Sequence, residues 1–219
     1  MKRRPKVRRR CWPWMAFFML FVCLTSFHYP IDILILHIGK PYSTVAKDST
    51  FSVEGNTAIY PGDPNDATNP PHPSSTWISS PTIIEFDDPV YGFRLPPTIF
   101  GAVTYDNLKV LSMTTSPMIK TLPFENAVEQ LAELQSTLQT RHWLLQPVEE
   151  NDWFKIETAA DRERLQAKLF DQADGIDLYV PEKYNLMLLI KCYARCNERD
   201  PKTAKYLIDV SVGRDYFSD

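Results

Sequence analysis

"KYNLMLLIKCYA" at residues 183–194 and "AKYLIDVSVG" at residues 204–213 are the two stretches that decide the fold. Both are rich in β-branched, aromatic and aliphatic residues, which is typical of strands. Because only the short loop around Cys196 to Thr203 separates them, we expect an antiparallel hairpin. In the second stretch, apolar residues alternate with a more mixed set, which predicts one buried face; its members are Tyr206, Ile208, Val210 and Val212.

Two segments upstream of this hairpin have helical periodicity. In "LPFENAVEQLAELQSTLQTRHW" (122–143), Pro123 fits a first helical turn. In "TAADRERLQAKLFDQ" (158–172), Thr158 is placed to cap the helix. The first segment predicts a buried stripe of Phe124, Ala127, Val128, Leu131, Leu134 and Leu138, and the second a buried side with Leu165, Leu169 and Phe170.

Two further stretches have strand composition. "TIFGAVTYDNLKVLSMTT" (98–115) predicts one or two strands with a turn at 105–107, and "HWLLQPVEENDWFKI" (142–156) predicts a hairpin-like pair of short strands. The element order is then β-α-β-α-β-β over residues 98–219. This order predicts an α+β sandwich, with an antiparallel or mixed sheet and two helices on one face.

Residues 32–97 have a different composition, with "YPGDPNDATNPPHPSSTWISSP" (60–81) dense in proline and small polar residues. Proline removes backbone donors and biases its neighbours toward extended backbone, so this composition favours a stiff spacer. We expect 32–97 to be a juxtamembrane and Pro-rich tether, with an edge strand within 82–97. "DILILHIG" (32–39) is read as a helix extension or juxtamembrane segment, with a strand as the alternative, and His72 or Trp77 would be contact points if the tether were instead a docking peptide.

The N-terminal thirty residues combine a basic run with an apolar block. Residues 1–11 carry seven basic and no acidic residues, and residues 12–27 carry no charge. Extended to Ile31, the block would span about 30 Å as a helix, which matches a bilayer core. We expect a cytoplasmic tail at 1–11 and a single transmembrane anchor at 12–31. The basic residues next to the anchor would hold the N-terminus in the cytoplasm, and aromatic residues would lie at the two membrane interfaces. The basic residues are Arg8, Arg9 and Arg10, and the aromatic residues are Trp12, Trp14 and Tyr29.

Two alternatives to this anchor stay open. A cleaved signal peptide shares the basic start, but no A-x-A precedes a cleavage point here. A soluble core helix would have to explain seven clustered charges beside sixteen uncharged residues.

Charge is distributed unevenly along the chain. After Pro30 there are 17 basic and 27 acidic residues, a net charge of −10. A body this acidic is repelled by phosphate backbones, which argues against nucleic-acid binding. With 44% apolar and 23% charged residues, the chain has enough apolar material for a packed core.

Two of the four cysteines lie four residues apart, in "CYARC" (192–196). Outside the cytoplasm, Cys192 and Cys196 would oxidise to a structural disulfide that closes the hairpin turn. Free thiols are the second interpretation, and a metal or redox site is the third, because the spacing is not C-x-x-C.

Candidate catalytic residues are scarce. Acidic residues cluster at 87–88, 149–152 and 171–177, and solvated turns explain all three clusters more simply than acid–base chemistry. A catalytic histidine could only be His142, which stabilisation of a helix C-terminus also explains. No phosphate-binding loop, metal-protease motif or nucleophile elbow occurs, so we expect no cofactor, no metal and no enzymatic activity.

These observations favour a single-pass bacterial envelope protein, N-terminus in the cytoplasm and C-terminal domain in the periplasm. The absence of N-x-[ST] acceptors weakly favours a bacterial envelope over a eukaryotic secretory route. The acidic domain would bind a protein partner, for example as an immunity protein against an envelope-acting toxin. The alternatives are an accessory component of a secretion or cell-wall assembly and a carboxylate-based envelope hydrolase using His142 with Asp174 or Asp177; the oligomeric state is left open.

Overall fold

The long hairpin predicted from residues 183–213 forms the centre of the structure. The computed structural model describes residues 30–63, 65–66, 68 and 70–216. Eleven strands (β1–β11) and three α-helices (α1–α3) occur in this part of the chain. Strands β10 (Tyr184–Ala194) and β11 (Lys205–Arg214) pair antiparallel over almost their full length, with Leu188 opposite Val210, which confirms the hairpin.

Eight strands form one antiparallel sheet in the order β2-β3-β6-β7-β11-β10-β9-β8. The remaining members are β2 (Thr57–Tyr60), β3 (His72–Ile78), β6 (Gly101–Asp106), β7 (Lys109–Thr115), β8 (Leu144–Leu145) and β9 (Asp174–Val180). The predicted turn between β6 and β7 is confirmed, with Asn107 and Leu108 both at positive φ, as a tight hairpin turn requires.

Three strands form a second, smaller sheet in the order β1-β4-β5. These are β1 (Asp32–Leu36), β4 (Thr82–Phe86) and β5 (Phe93–Arg94); β1 and β4 are parallel, and β5 is antiparallel to β4. In β1 and β4 alternate side chains are buried, among them Leu34, Leu36, Ile84 and Phe86, so one face of this sheet faces the core.

The helices and the small sheet pack on one face of the large sheet. Helix α1 is Tyr42–Asp48, α2 is Phe124–Thr140 and α3 is Ala159–Leu169. The Phe124 ring at the start of α2 meets Tyr206 of β11 edge-on, with centroids 5.3 Å apart. The Phe86 ring of the small sheet meets Tyr184 of β10 at 5.1 Å.

Both predicted helices are confirmed, together with their buried sides. Every residue of the stripe predicted in α2 is buried, as are Leu165 and Leu169 of α3, while Phe170 is partly buried. Thr158 caps α3, because its Oγ1 accepts a hydrogen bond from the Asp161 backbone N–H at 3.1 Å. The α+β class is therefore correct, although the structure adds a third, short helix, α1.

Residues 32–97 are not a tether in the structure, and this corrects the prediction from composition. They hold β1 to β5 and α1, and residues Ile31–Asp219 form one compact unit. The segment 32–39 is largely strand β1, which was the alternative, rather than a helix extension. Residues 82–97 hold the expected edge strand, which is β5, and also β4, which lies inside the small sheet. Proline is tolerated in β3 because Pro73 lies beyond the residues paired with β6, at an irregularity in the pairing with β2.

Two other expectations differ from the structure. The predicted strand pair at 142–156 is a single two-residue strand, β8, which pairs with β9. Strand β9 was not predicted, because Asp174, Gly175 and Asp177 have poor strand propensity. Its alternating residues Ile176, Leu178 and Val180 are nevertheless buried.

The predicted tail and anchor lie outside the described residues, apart from Pro30 and Ile31 at the end of the anchor. The same holds for the topology residues Arg8, Arg9, Arg10, Trp12, Trp14 and Tyr29. In the part of the chain that the structure describes, no helix combines the length and apolarity needed to span a membrane.

Candidate functional site

The second face of the eight-stranded sheet faces solvent, and a groove lies on it. On this face the side chains of β10 and β11 are exposed or half-buried, whereas their neighbours on the inner face are buried. The groove, called the outer groove below, has a volume of about 580 Å³. Its lining comes from Ile99 and Phe100, from members of the segment 114–121, and from outward side chains of the central hairpin: Lys191, Tyr193, Leu207 and Asp209.

An ion pair and a hydroxyl form the polar centre of the outer groove. Lys191 of β10 places Nζ 2.5 Å from Asp209 Oδ2, and the Ser116 hydroxyl donates to Asp209 Oδ1. Both carboxylate oxygens therefore have a donor, and the Asp209 side chain is only 15% exposed. Because its partners are in place, the carboxylate is stable in this position without a ligand.

Large apolar side chains surround this polar centre and remain open to solvent. Ile99, Phe100, Ile119 and Tyr193 are 42%, 54%, 44% and 63% exposed. Leu207 is partly buried at the base, and Met118 is buried beside it. Clustered exposed apolar side chains are uncommon on monomeric proteins and mark interaction surfaces.

Buried threonines hold the wall that carries Phe100. Thr98 Oγ1 donates to the Ser116 carbonyl at 2.6 Å and accepts from the Phe100 N–H at 3.0 Å. Thr115 Oγ1 donates to the Phe100 carbonyl at 2.7 Å. Since Thr98 and Thr115 are fully buried, these bonds fix the backbone on both sides of the groove before any ligand arrives.

Tyr193 is held in the groove by an irregularity at the end of β10. Cys192 lies opposite Tyr206 and Ala194 opposite Lys205, so Tyr193 is an extra, unpaired residue of a β-bulge. Cys192 and Cys196, the predicted disulfide pair, have their sulfur atoms at bonding distance and their Cα atoms 5.9 Å apart. The five-residue ring they close therefore contains a residue of the groove wall.

A second polar cluster lies where β1 and β4 end, and its ion pairs hold parts of the fold together. Lys40 is 3% exposed, and its Nζ lies 2.9 Å from Asp48 Oδ2 and 2.6 Å from Asp87 Oδ2. His37 Nδ1 lies 2.7 Å from Asp87 Oδ1. Burial alone would raise the pKa of Asp87, but hydrogen bonds from Lys40 and His37 outweigh it and lower that pKa.

Asp88 completes this region with a separate set of partners. It accepts hydrogen bonds from the Val90 and Tyr91 backbone N–H groups and from the Tyr184 hydroxyl at 2.9 Å. These bonds outweigh burial and lower the pKa of Asp88. The prediction of a solvated turn at 87–88 is therefore wrong, because both carboxylates are ion-paired or hydrogen-bonded ties between elements.

The other acidic clusters and the single catalytic histidine candidate do not come together. Asp174 binds Lys168 at 2.7 Å and lines a polar cavity of about 330 Å³ whose lining does not include His142. His142 is exposed, is the second residue after the end of α2, and has φ of 60°. Asp177 lies on β9, where its backbone bonds Asn151.

The residues of the outer groove were not predicted as a site. Asp209 belongs to the mixed set that alternates with the buried residues of its strand, and the sequence singled out neither Ser116 nor Lys191. One signal was available, since Lys191 and Asp209 are charged residues inside two otherwise apolar strands. Their pairing depends on the register of the hairpin and on the loop after β7, which composition does not reveal.

Within the described ranges, no three or more His, Cys, Asp or Glu side chains are arranged to hold a metal ion. Comparison of the chain with protein-family models, with curated proteins and with solved structures finds no match. The outer groove therefore has to be interpreted from its own chemistry.

Proposed function

We propose that the domain is a protein-binding module and that the outer groove is its contact surface. The observation that carries this proposal is the cluster of exposed apolar side chains around a polar centre whose hydrogen bonds are already made. An interface core combines apolar and aromatic anchors with few unpaired charges, and the groove has this composition.

The geometry favours binding over catalysis. The Ser116 hydroxyl donates to Asp209, and the same carboxylate is paired with Lys191. Among the described residues that line the groove, none is a histidine or a cysteine. A serine nucleophile is usually activated by a neighbouring base that a third group orients, and here the carboxylate that accepts from Ser116 binds Lys191 instead of orienting a histidine.

In the cell, we propose that residues 12–31 anchor the protein in the inner membrane with the domain in the periplasm. The net charge of −10 after Pro30 would speed encounter with a basic partner. An immunity protein that blocks an envelope-acting toxin is the concrete form we favour, and an accessory role in a secretion or cell-wall assembly is the alternative.

Site-specific photo-cross-linking tests the contact surface. A photoreactive amino acid at Phe100 or Ile119 of the full chain, in its own cells, should capture one discrete protein. The same probe at Leu144, which is similarly exposed but lies on edge strand β8, is the matched control. Equal capture at all three positions, or capture at Leu144 alone, would contradict the proposal.

Reporter fusions test the location. Alkaline phosphatase fused after Asp219 should be active, and deletion of residues 12–31 should abolish its activity. If the alkaline phosphatase fusion is inactive and a matching fusion to a reporter that fluoresces in the cytoplasm is bright, the domain lies in the cytoplasm and the proposed location is wrong.

A further inference from the structure

The charged groups of the outer groove are unequal in number, with two ammonium groups and one carboxylate among the described residues that line it. Both oxygens of that carboxylate, Asp209, already accept hydrogen bonds. An ammonium has three donors, and Lys191 uses one of them on Asp209 while its side chain is 38% exposed. The acceptor that completes Lys191 therefore has to come from a ligand or from water.

Lys120 adds a second positive charge to the same groove. It is exposed, lines the groove beside Ile119, and forms no ion pair within the described residues. With Lys191 and Asp209, the groove carries two positive charges and one negative charge, opposite in sign to the acidic body. Charge complementarity therefore calls for an anion in the ligand.

The apolar walls identify what this anion is attached to. Phe100 and Tyr193 are more than half exposed, so a small molecule seated between them would stay largely in water. Small-molecule sites usually bury most of the ligand surface. A protein partner can cover Phe100 and Tyr193 with the surface that flanks its bound segment, because contacts around the anchor residues of an interface exclude water.

Free donors of two kinds remain in the groove. The ammonium groups of Lys120 and Lys191 are side-chain donors, and the backbone N–H groups of Ile119, Lys120 and Thr121 donate to no group among the described residues. Clustered backbone N–H groups commonly capture terminal carboxylates, so the test has to separate an acidic side chain from a chain terminus.

We propose that the outer groove binds a segment of a protein partner in which the side chain of an aspartate or glutamate adjoins an aliphatic or aromatic residue. The apolar residue packs on Phe100, Ile119 and Tyr193, and the carboxylate pairs with Lys120 and Lys191. This proposal rests on the protein-binding function and specifies the chemistry of the segment that the groove recognises.

Selection from a random heptapeptide library, displayed with both peptide ends fused, tests the proposal on the full chain. The peptides of interest are those that the wild type retains and the Phe100→Ser variant loses. Among them, acidic residues beside apolar ones should be enriched about two- to fivefold, the range of a partly exposed ion pair. Lys120→Gln should cut this enrichment about twofold. Lys47→Gln, on exposed α1, is the control and should leave it unchanged.

Each other result decides against the proposal. Enrichment of apolar residues without acidic ones would overturn the carboxylate preference and leave the protein-binding function standing. Selection of free C-terminal carboxylates in a parallel library, or displacement of selected peptides by decanoate with no acidic enrichment, would assign the groove to a terminus or a fatty acid. If no selected peptide depends on Phe100 while cross-linking at Phe100 still captures a partner, the proposed segment chemistry is wrong and the protein-binding function stands. If cross-linking at Phe100 captures no partner either, the protein-binding function is also wrong.

Discussion

Single residues tie the two sheets and α1 together where β1 and β4 end, and Lys40 is the most buried of them. Its ammonium satisfies Asp87 and Asp48, which belong to different elements. Burial alone would lower the pKa of Lys40, but these two carboxylates raise it above its ordinary value. A buried charge of this kind depends on its partners, and the partners depend on it.

Replacing Lys40 should therefore destabilise the fold strongly. We expect Lys40→Met to lower the free energy of unfolding by about 2–4 kcal/mol, because it leaves Asp87 and Asp48 without their cation. Urea denaturation measures the effect. Lys47→Met, at an exposed position of α1, should change the value by less than about 0.5 kcal/mol. Similar losses for both variants would contradict the role of Lys40.

The lowered pKa values of Asp87 and Asp88 predict acid sensitivity. A carboxyl whose pKa is lower in the folded than in the unfolded state stabilises the fold above about pH 3.9, and this stability is lost as the pH falls further. Asp87→Asn should accordingly be less stable than the wild type at pH 7, and the difference should shrink by pH 3. Denaturation across this range tests the sign, with Asp32→Asn at an exposed position as control; a difference that grows at low pH would refute it.

At the scale of elements, the end of the central hairpin combines a bulge, a ring and a binding surface. Composition predicted this hairpin, both helices and the Thr158 cap, because each depends on local propensity or on a regular period. It missed β2 and β3, gave a strand only as the alternative for β1, and expected a single edge strand where β4 and β5 lie, because a high proline content is also typical of a spacer. It also did not predict the outer groove, where Ser116 comes from the loop after β7, Lys191 from β10 and Asp209 from β11.

Opening the ring should affect stability modestly and binding more. The Cys192→Ser/Cys196→Ser variant should lose about 2 kcal/mol, since closing so short a loop has a small entropic effect. Because Tyr193 lies inside the ring, cross-linking from Phe100 should fall as well. Cys11→Ser/Cys23→Ser is the matched variant and should retain both properties; unchanged capture after the ring is opened would show that Tyr193 keeps its position without it.

At the scale of the whole molecule, Trp143 joins the two sheets. It is 2% exposed, its Nε1 donates to the Tyr91 carbonyl at 3.0 Å, and its ring lies 6.0 Å from both Phe93 and Tyr184. The small sheet, the end of α2 and β10 thus share one aromatic cluster. Their stability should be cooperative, as in a single domain.

Trp143→Phe should weaken both sheets together. We expect a loss of about 1–3 kcal/mol from the smaller ring and the unsatisfied Tyr91 carbonyl. Hydrogen exchange at Leu34 in the small sheet and Leu188 in the large one should report equal losses of protection. Trp77→Phe, at a residue 53% exposed, is the control, and a loss confined to Leu34 would show that the sheets unfold separately.

The parallel pairing of β1 with β4 has a consequence for the order of assembly. Between these neighbours the chain leaves for the other sheet, forms β2 and β3, and returns. Their contact therefore closes a loop of nearly fifty residues, an entropic cost that the adjacent β10–β11 hairpin does not bear. The β10–β11 hairpin needs only its own two strands and a short loop, whereas β1 cannot pair until β4 is in place. In refolding of the full chain, the N-terminal strand β1 should therefore be among the last elements to become ordered.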